Sequence, residues 1–288
     1  MRPRLNKLRY NYSQFQTGLF VKSFFLLFLS PLFLLAAELH LPVLSVSDDA
    51  KSATVDVQQI AKGVHGFIVR HFTKEHSVII ADVHVADFDA ATHTATLALS
   101  EYTGLKQNSL PSGKWTVQVG DEVILAFAYS RALLIAPDEE TYHIITNNIH
   151  GVEWIHPDSF ATFLSYRAHP TPFEDDIADY CTLAEIGLLY TYVDGALFTM
   201  DCQTMSMIQL TPVKLKQKSL KLPFYSRVEE IATSWWVWGA ASNPLEAYDP
   251  HYLELIVAHN QDSKPLYDYI NTLTTPQHEL VEEFKIEE

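Results

Sequence analysis

The sequence predicts an α+β fold, mainly antiparallel β, in which a small N-terminal β-barrel or sandwich precedes a mixed helix and hairpin region. Two observations favour this fold. Residues 41–136 alternate apolar or β-branched residues with polar ones, as half-buried strands do. Helix-capping and proline signals begin at Pro137. Of the 288 residues, 48% are hydrophobic, which is enough apolar material for one large or two small cores.

The first 37 residues have the order of a secretory signal peptide. Residues 1–22 contain five basic residues and no acid, and the uncharged apolar run of 15 residues at 23–37 follows. A helix of that length spans only about 22 Å, short of the ~30 Å hydrocarbon core of a bilayer. We expect a signal peptide at 1–37 and export to the periplasm or cell surface in association with the outer membrane. Membrane contact is then expected only through this segment if it is uncleaved.

Charge excludes one class of partner. Without residues 1–37 the chain keeps all 35 acidic residues and 15 of its 20 basic ones, a net charge of −20. Such a surface repels the phosphates of nucleic acid. We therefore expect no nucleic-acid binding.

The barrel or sandwich is expected over residues 38–136. Its strands are predicted in ATVDVQQI, GVHGFIVRHF, HSVIIADVHVADF, HTATLALS and EVILAFA. The tripeptide YSR is predicted to turn the last of these back into ALLIAP. Six or seven short antiparallel strands at this spacing are typical of a small barrel or sandwich.

Residues 137–275 are expected to form the α+β region, and 276–288 a C-terminal tail. Asp138 can cap a helix in EETYHIITNNI, and a second helix is predicted near Pro157. The dipeptide at 194–195 is a two-residue hairpin signal between LAEIGLLYTYV and ALFTMD. TMSMIQLTPV is predicted as a third strand, and helices are predicted in HYLELIVAH and KPLYDYINTL.

No motif predicts an enzyme or a cofactor. The sequence has no G-x-S-x-G elbow, no P-loop and no G-x-G-x-x-G. Its closely placed histidines, His65, His71, His76 and His84, are six, five and eight residues apart. These spacings match no zinc motif. We predict no catalytic residue, metal or cofactor, and interpret the paired acids 175–176 and 229–230 as solvated surface.

Two clusters are candidates for binding a partner. The segment VKLKQKSLK carries Lys214, Lys216, Lys218 and Lys221. On a strand the first three would form one cationic stripe, either a docking surface for an acidic partner or protection of a sheet edge against pairing. SWWVWGAAS contains Trp236 and Trp238, which could anchor the core or present an aromatic patch to a protein.

Several stretches together resemble a known family. GFIV, SVIIADVHV, RALLIAPDEETYHII, VEWIHPDSFATFL and PFYSRVEEI occur in this order, and the two cysteines flank the hairpin between the last two stretches. In this order the stretches are similar to the N-terminal domain of the plasminogen-binding protein A family of Helicobacter and related Campylobacterota. The resemblance runs from about residue 41 to 260.

The resemblance implies an exported, non-enzymatic binding protein that captures plasminogen. The kringle modules of plasminogen hold a terminal lysine between carboxylates, aromatic rings and a cationic edge. The printed sequence places Ile286, Glu287 and Glu288 after Lys285, so capture through a terminal lysine is not expected, and internal lysines would have to serve. One alternative is a structural or interaction module of the bacterial cell envelope, and another is an uncharacterised periplasmic enzyme with a histidine and acid cleft.

The two cysteines, Cys181 and Cys202, could form a reactive thiol pair, half of a metal site or a disulfide. Export favours the disulfide. A two-residue turn at 194–195 makes Cys202 face Gly187, so the bridge would fasten the segment before the first strand to the far end of the hairpin.

Overall fold

The computed structural model describes residues 38–102, 115–232, 243–273 and 278–286, and confirms the α+β class with β-strands dominant. The strands are β1 Leu39–Pro42, β2 Ser45–Val46, β3 Ser52–Asp56, β4 His65–His71, β5 Ser77–Asp89, β6 Thr94–Ser100, β7 Glu122–Leu125, β8 Arg131–Ile135, β9 Glu153–Ile155, β10 Leu188–Val193, β11 Ala196–Asp201 and β12 Met207–Pro212. The helices are α1 Glu139–Asn148, α2 Pro157–Arg167, α3 Glu174–Ala184, α4 Tyr248–Ala258, α5 Lys264–Ile270 and α6 His278–Val281. No helix among the described residues is both long and apolar enough to cross a bilayer.

Seven antiparallel strands form a curled half-barrel, which we call the barrel sheet. Its strand order is β1-β7-β4-β5-β6-β3-β2. The two edge strands are consecutive in sequence, and the short link at 43–44 carries the chain from one edge to the other. The amide of Leu44 donates to the carbonyl of Thr54 at 2.8 Å, which helps to curl the sheet into the predicted barrel-like shape.

Alternation explains the interior of the barrel sheet. In β3 the side chains of Ala53 and Val55 are buried while their neighbours are partly or fully exposed. The same pattern buries Ala95 and Leu97 in β6. Each strand therefore has one face in the core and one face towards water, as its period of two predicts.

The remaining five strands form a second sheet, the mixed sheet, in the order β12-β11-β10-β8-β9. Strand β8 pairs in parallel with both β10 and β9, whereas β10, β11 and β12 are antiparallel. The predicted hairpin between β7 and β8 is therefore wrong. Between these strands, Ala126 and Ala128 adopt positive φ angles of 56° and 57°, and the chain crosses from the barrel sheet into the mixed sheet.

The mixed sheet is the middle layer of three. Every residue of β10 and β11 is buried. In β8, Leu133 and Ile135 pack with the side of α2, α3, α4 and α5, whereas Ala132 and Leu134 pack with α1 and the barrel interior. Burial of both faces is typical of parallel strands and accounts for the near-continuous apolar sequence of this sheet.

Local signals place several elements correctly. The carboxylate of Asp138 accepts a hydrogen bond from the amide of Thr141 at 2.8 Å and caps α1. The hairpin turn at 194–195 pairs Val193 with Ala196. The strand predicted from Leu183, in contrast, begins only at Leu188, because Leu183 and Ala184 are the last residues of α3 and Glu185 caps it.

A buried carboxylate joins the two sheets. One oxygen of Asp201, in β11, accepts hydrogen bonds from the amide of His65 at 2.9 Å and from the hydroxyl of Tyr129 at 2.8 Å. Nearby, the hydroxyl of Thr204 donates to the carbonyl of Gly63 at 2.7 Å. Gly63 has a φ of 80°, and a Cβ atom there would lie 2.0 Å from the side chain of Ser206. Only glycine allows this close approach of the two layers.

Candidate binding surface

The lysine-rich segment, residues 213–221, follows β12 and runs from the β10–β11 turn, where Val213 contacts Gly195, to the carboxyl end of β8, where Lys221 contacts Pro137. The segment is irregular and contains no strand, so the stripe of three lysines that a strand would have formed is absent. Inward and outward residues nevertheless alternate at its start. Val213 and Leu215 pack against the barrel-side core, and Lys214 and Lys216 are exposed. The structure thus presents two of the predicted lysines on one side of a backbone that is held from the other side.

A single tyrosine holds this backbone in place. The hydroxyl of Tyr192 donates to the carbonyl of Val213 at 3.1 Å and accepts from the amide of Leu215 at 2.9 Å. The amide of Val213 also donates to the carbonyl of Gly195 at 2.9 Å. Burial raises the pKa of Tyr192, which keeps its hydroxyl protonated and able to donate. The two lysines therefore project from a fixed support rather than from a free loop.

The other two predicted lysines are used within the protein. The ammonium of Lys218 lies 2.7 Å from a carboxylate oxygen of Glu140, and this contact raises the pKa of Lys218. Lys221 turns inward and donates to the carbonyls of Ser226 and Val228. Within the described ranges, no ion pair or hydrogen bond engages the ammonium groups of Lys214 and Lys216. Only these two of the four are free to meet a partner.

The remaining predicted site residues are the two tryptophans and the two cysteines. Trp236 and Trp238 lie outside the described residues. Cys181 and Cys202 form the expected disulfide, with a sulfur to sulfur distance of 2.01 Å. The amide of Cys202 donates to the carbonyl of Gly187 at 2.9 Å, which confirms the predicted register. The bridge joins α3 to the end of β11 and lies fully in the core.

Three of the stretches that carry the family resemblance meet at the carboxyl ends of β8 and β9. The ring of Tyr142, from α1, lies 5.3 Å from that of His156 and 5.4 Å from that of Tyr225. Arg227, two residues later, donates to the carboxylate of Asp158 at 2.6 Å. Burial lowers the pKa of His156, so its imidazole stays neutral at pH 7. Spacing did not predict this cluster, because its members come from distant parts of the chain.

In open sheets the carboxyl ends of parallel strands commonly form a ligand crevice where neighbouring connections diverge. Here α1 and α2 follow adjacent strands and pack on opposite faces of the mixed sheet. In this protein the segment around Tyr225 occupies that crevice, since the amide of Tyr225 donates to the carbonyl of Ala136 at 2.7 Å. The resemblance at these residues thus corresponds to a packed junction.

One pair of acids behaves differently from the prediction of solvated surface. Asp175 is exposed, but Asp176 is only 2% exposed. Its carboxylate accepts from the guanidinium of Arg167 at 3.0 Å and from His169 at 2.8 Å. The other oxygen accepts from the amide of Phe173 at 3.2 Å at the start of α3. Asp176 therefore caps a helix and neutralises a cation, and its surface interpretation was wrong.

The histidines of the barrel sheet pair with carboxylates and with one another. On its outer face Glu122 lies between His71 at 2.6 Å and His40 at 3.0 Å. The hydrogen bond from His71 lowers the pKa of Glu122. His65 and His84 are opposite each other on β4 and β5. No group of three or more histidine, cysteine or acidic side chains suited to a metal ion occurs in the described part of the chain.

Comparisons with a family model and with individual proteins identify the same family. The family model described as "Plasminogen-binding protein pgbA N-terminal" matches residues 38–256. Two relatives named "Plasminogen-binding protein PgbA", from Helicobacter pylori strains J99 and 26695, are each 26% identical over 173 residues. These alignments cover 59% of this chain but only 36% of each relative. No solved structure matches.

Proposed function

This chain belongs to the plasminogen-binding protein PgbA N-terminal family, and from that premise we propose that it is an exported, non-enzymatic protein that captures a protein partner. The names of the relatives supply plasminogen as the candidate partner. Two observations support export: the order of basic and apolar residues at 1–37, and a buried disulfide of the kind that persists in oxidising compartments. Its place of action is then the cell envelope or the cell surface.

The observation that carries the proposal is the presentation of Lys214 and Lys216. Both side chains are exposed on a segment whose backbone Tyr192 fixes on the opposite side. A lysine held in this way loses less conformational entropy on binding than one in a free loop. Carboxylates of a lysine-binding module could pair with either ammonium group while aromatic rings hold its methylene stem.

Charge makes these lysines distinctive. The whole chain has 35 acidic residues against 20 basic ones, so most of its surface repels an acidic pocket. Within the described part of that surface, the exposed cations of Lys62, Lys218 and Arg227 are each matched by a carboxylate. Other exposed lysines there without an ion pair, such as Lys51 and Lys264, stand singly in the sequence. Lys214 and Lys216 instead lie two residues apart and face outward together. We propose that this pair is the docking point.

The test is capture of plasminogen by the immobilised protein with and without a soluble lysine analogue. We expect saturable binding that 6-aminohexanoate abolishes. Hexanoate, which has the carboxylate and the alkyl chain but no amine, is the matched control and should have no effect. Together the two compounds separate recognition of an ammonium group from general salt or detergent effects.

Two results would contradict the proposal. Saturable capture that 6-aminohexanoate does not reduce would show that lysine recognition is not the basis. No capture at all would favour the alternative, a module whose partner is a component of the bacterial envelope. Crosslinking in the native envelope would then identify that component.

A further inference from the structure

One end of the barrel sheet carries a cluster of exposed apolar side chains, which we call the apolar tip. It consists of Phe72 and Val78 on the β4–β5 hairpin, and Trp115 and Val119 on the segment that leads into β7. Their exposed fractions are 47%, 42%, 49% and 67%. The rings of Phe72 and Trp115 are in contact, with centroids 5.1 Å apart. Single exposed apolar residues are ordinary on soluble proteins, but a cluster indicates an interaction site.

The apolar tip lies at the end of the barrel farthest from the mixed sheet. Strand β4 begins at His65, whose amide is bonded to Asp201 of the mixed sheet. The strand then runs for seven residues to His71, a distance of about 20 Å. The hairpin that follows is closed by a hydrogen bond from the amide of Phe72 to the carbonyl of His76 at 2.9 Å. The tip therefore projects at one end, where it can meet a flat surface.

Charges at the apolar tip nearly cancel. Arg70, at the base of the hairpin, donates two hydrogen bonds to the carboxylate of Asp121, at 2.8 and 2.7 Å. At the turn, Lys74 and Glu75 carry opposite charges on adjacent exposed residues. With Glu122, which contacts His71 and His40 beside the hairpin, the tip has an excess of one acid, whereas the chain as a whole has a net charge of −15. Burial of this nearly balanced end costs less desolvation than burial of the acidic remainder.

From these observations we propose that the apolar tip docks on a lipid bilayer surface, which departs from the expectation that only residues 1–37 contact a membrane. Phe72 and Trp115 insert at the boundary between headgroups and acyl chains, where aromatic rings are favoured. Lys74 extends to the phosphates, and the excess acid on the rest of the chain is repelled by anionic headgroups, which turns the tip towards the membrane. This surface is separate from Lys214 and Lys216, so the protein can hold a lipid surface and a protein partner together.

The experiment measures which end of the mature chain, without residues 1–37, enters the membrane. An environment-sensitive dye is attached to a new thiol in Val119→Cys or, as control, in Tyr166→Cys on α2, which is 92% exposed. The native cysteines are joined in the buried disulfide and do not react. Vesicles of phosphatidylcholine and phosphatidylglycerol in equal parts then carry a nitroxide quencher on the acyl chains. We expect quenching of the dye at 119 and none at 166.

Variants then test the side chains that carry the proposal. In the chain labelled at position 119, Phe72→Ser with Trp115→Ser should raise the lipid concentration needed for half-maximal quenching at least about tenfold. Leu183→Ser is the matched control, because Leu183 is also exposed but lies on α3, and it should change nothing. Far-UV circular dichroism and a thiol count verify that each variant is folded.

A second variant keeps the proposal testable if the double variant Phe72→Ser with Trp115→Ser does not fold. Val119→Asp, labelled at Phe72→Cys, places a charge in an exposed turn and should weaken quenching to a similar degree. Equal quenching at 119 and 166, no quenching at 119, or half-maximal concentrations unchanged by the tip variants would each overturn the proposal. A dye at 119 that responds to plasminogen but not to vesicles would also overturn it and assign the tip to a protein.

Discussion

The barrel sheet and the mixed sheet bury their residues in different ways. The barrel sheet turns one face inward and fills its interior largely with small side chains such as Val55, Val83 and Ala95. The mixed sheet is covered on both faces and packs large residues, among them Phe198, against the helices. The mixed sheet therefore buries both of its faces and larger side chains. Since apolar burial is the main stabilising term, we expect the mixed sheet to contribute most of the stability, and the barrel sheet to tolerate more change.

The largest expected effect tests this difference directly. Phe160 on α2 stacks on Phe224 with centroids 5.3 Å apart and is fully buried. Phe160→Ala should lower the free energy of unfolding by about 3–5 kcal/mol. The matched pair Leu133→Ala in β8 and Leu97→Ala in β6 removes the same atoms from fully buried sites, and we expect the loss in β8 to be the larger within the range of about 2–5 kcal/mol. Urea unfolding of the two matched variants measures the two values, and equal losses would contradict the comparison.

The disulfide belongs to the mixed-sheet side. Cys181 and Cys202 are 21 residues apart, so the bridge shortens a loop of the unfolded chain. Replacing both cysteines by alanine should lower the free energy of unfolding by about 3 kcal/mol. A thiol count of two in the oxidised, denatured wild-type protein would show that the bridge is absent.

A smaller effect is expected where the two sheets meet. In Asp201→Asn an amide nitrogen replaces one carboxylate oxygen and must face N–H and O–H donors such as those of His65 and Tyr129. We expect a loss of about 1.5–3 kcal/mol, because a charged acceptor is lost and a donor is left without a partner. Two separate unfolding transitions in this variant would indicate that Asp201 couples the sheets. A stability equal to the wild type would remove Asp201 from that role.

The two regions also differ in what their sequences reveal. Strands with one wet face alternate visibly, so β3 to β6 could be predicted from residue type alone. The crossing from β7 to β8 could not, because the left-handed residues Ala126 and Ala128 carry no glycine or asparagine signal. Parallel pairing of β8 with β9 and β10 depends on contacts distant in sequence, and the apolar runs it buries have no period of two.

The candidate site shows the same limit. The sequence shows four lysines within nine residues. It does not show that Lys218 forms an ion pair with Glu140 or that Lys221 donates hydrogen bonds to backbone carbonyls. The sequence does not predict α3, because adjacent acids such as Asp175 and Asp176 are as typical of solvated surface as of a first helical turn. Only the fold brings Arg167 and His169 to the second of them.

Acid should affect the two regions over different pH ranges. Burial lowers the pKa of His251, on α4, below its ordinary value of 6.5, so its stabilising effect is complete above pH 6.5 and is lost as pH falls through the folded value. His251→Gln, which can still donate to the carbonyl of Pro172, should flatten the fall in unfolding free energy below pH 6.5. An unchanged slope would contradict the assignment.

The barrel counterpart acts at lower pH. The pKa of Glu122 is lowered from its ordinary value of 4.5, chiefly by the hydrogen bond from His71. Its contribution is therefore present above pH 4.5 and is lost as pH falls through the lowered value. Glu122→Gln should cost about 0.2–1 kcal/mol at pH 6 and nothing at pH 2, since the pair is partly exposed. A constant cost across that range would indicate a packing effect instead.

The most direct test of the proposed function is the dissociation constant for plasminogen in two matched double variants. Lys214→Gln with Lys216→Gln removes the outward pair, whereas Lys51→Gln with Lys264→Gln removes two exposed lysines elsewhere and the same net charge. We expect the first pair to weaken binding at least about tenfold and the second to leave it within about twofold. Equal weakening in both variants, or none in the first, would contradict the assignment of Lys214 and Lys216 as the docking point.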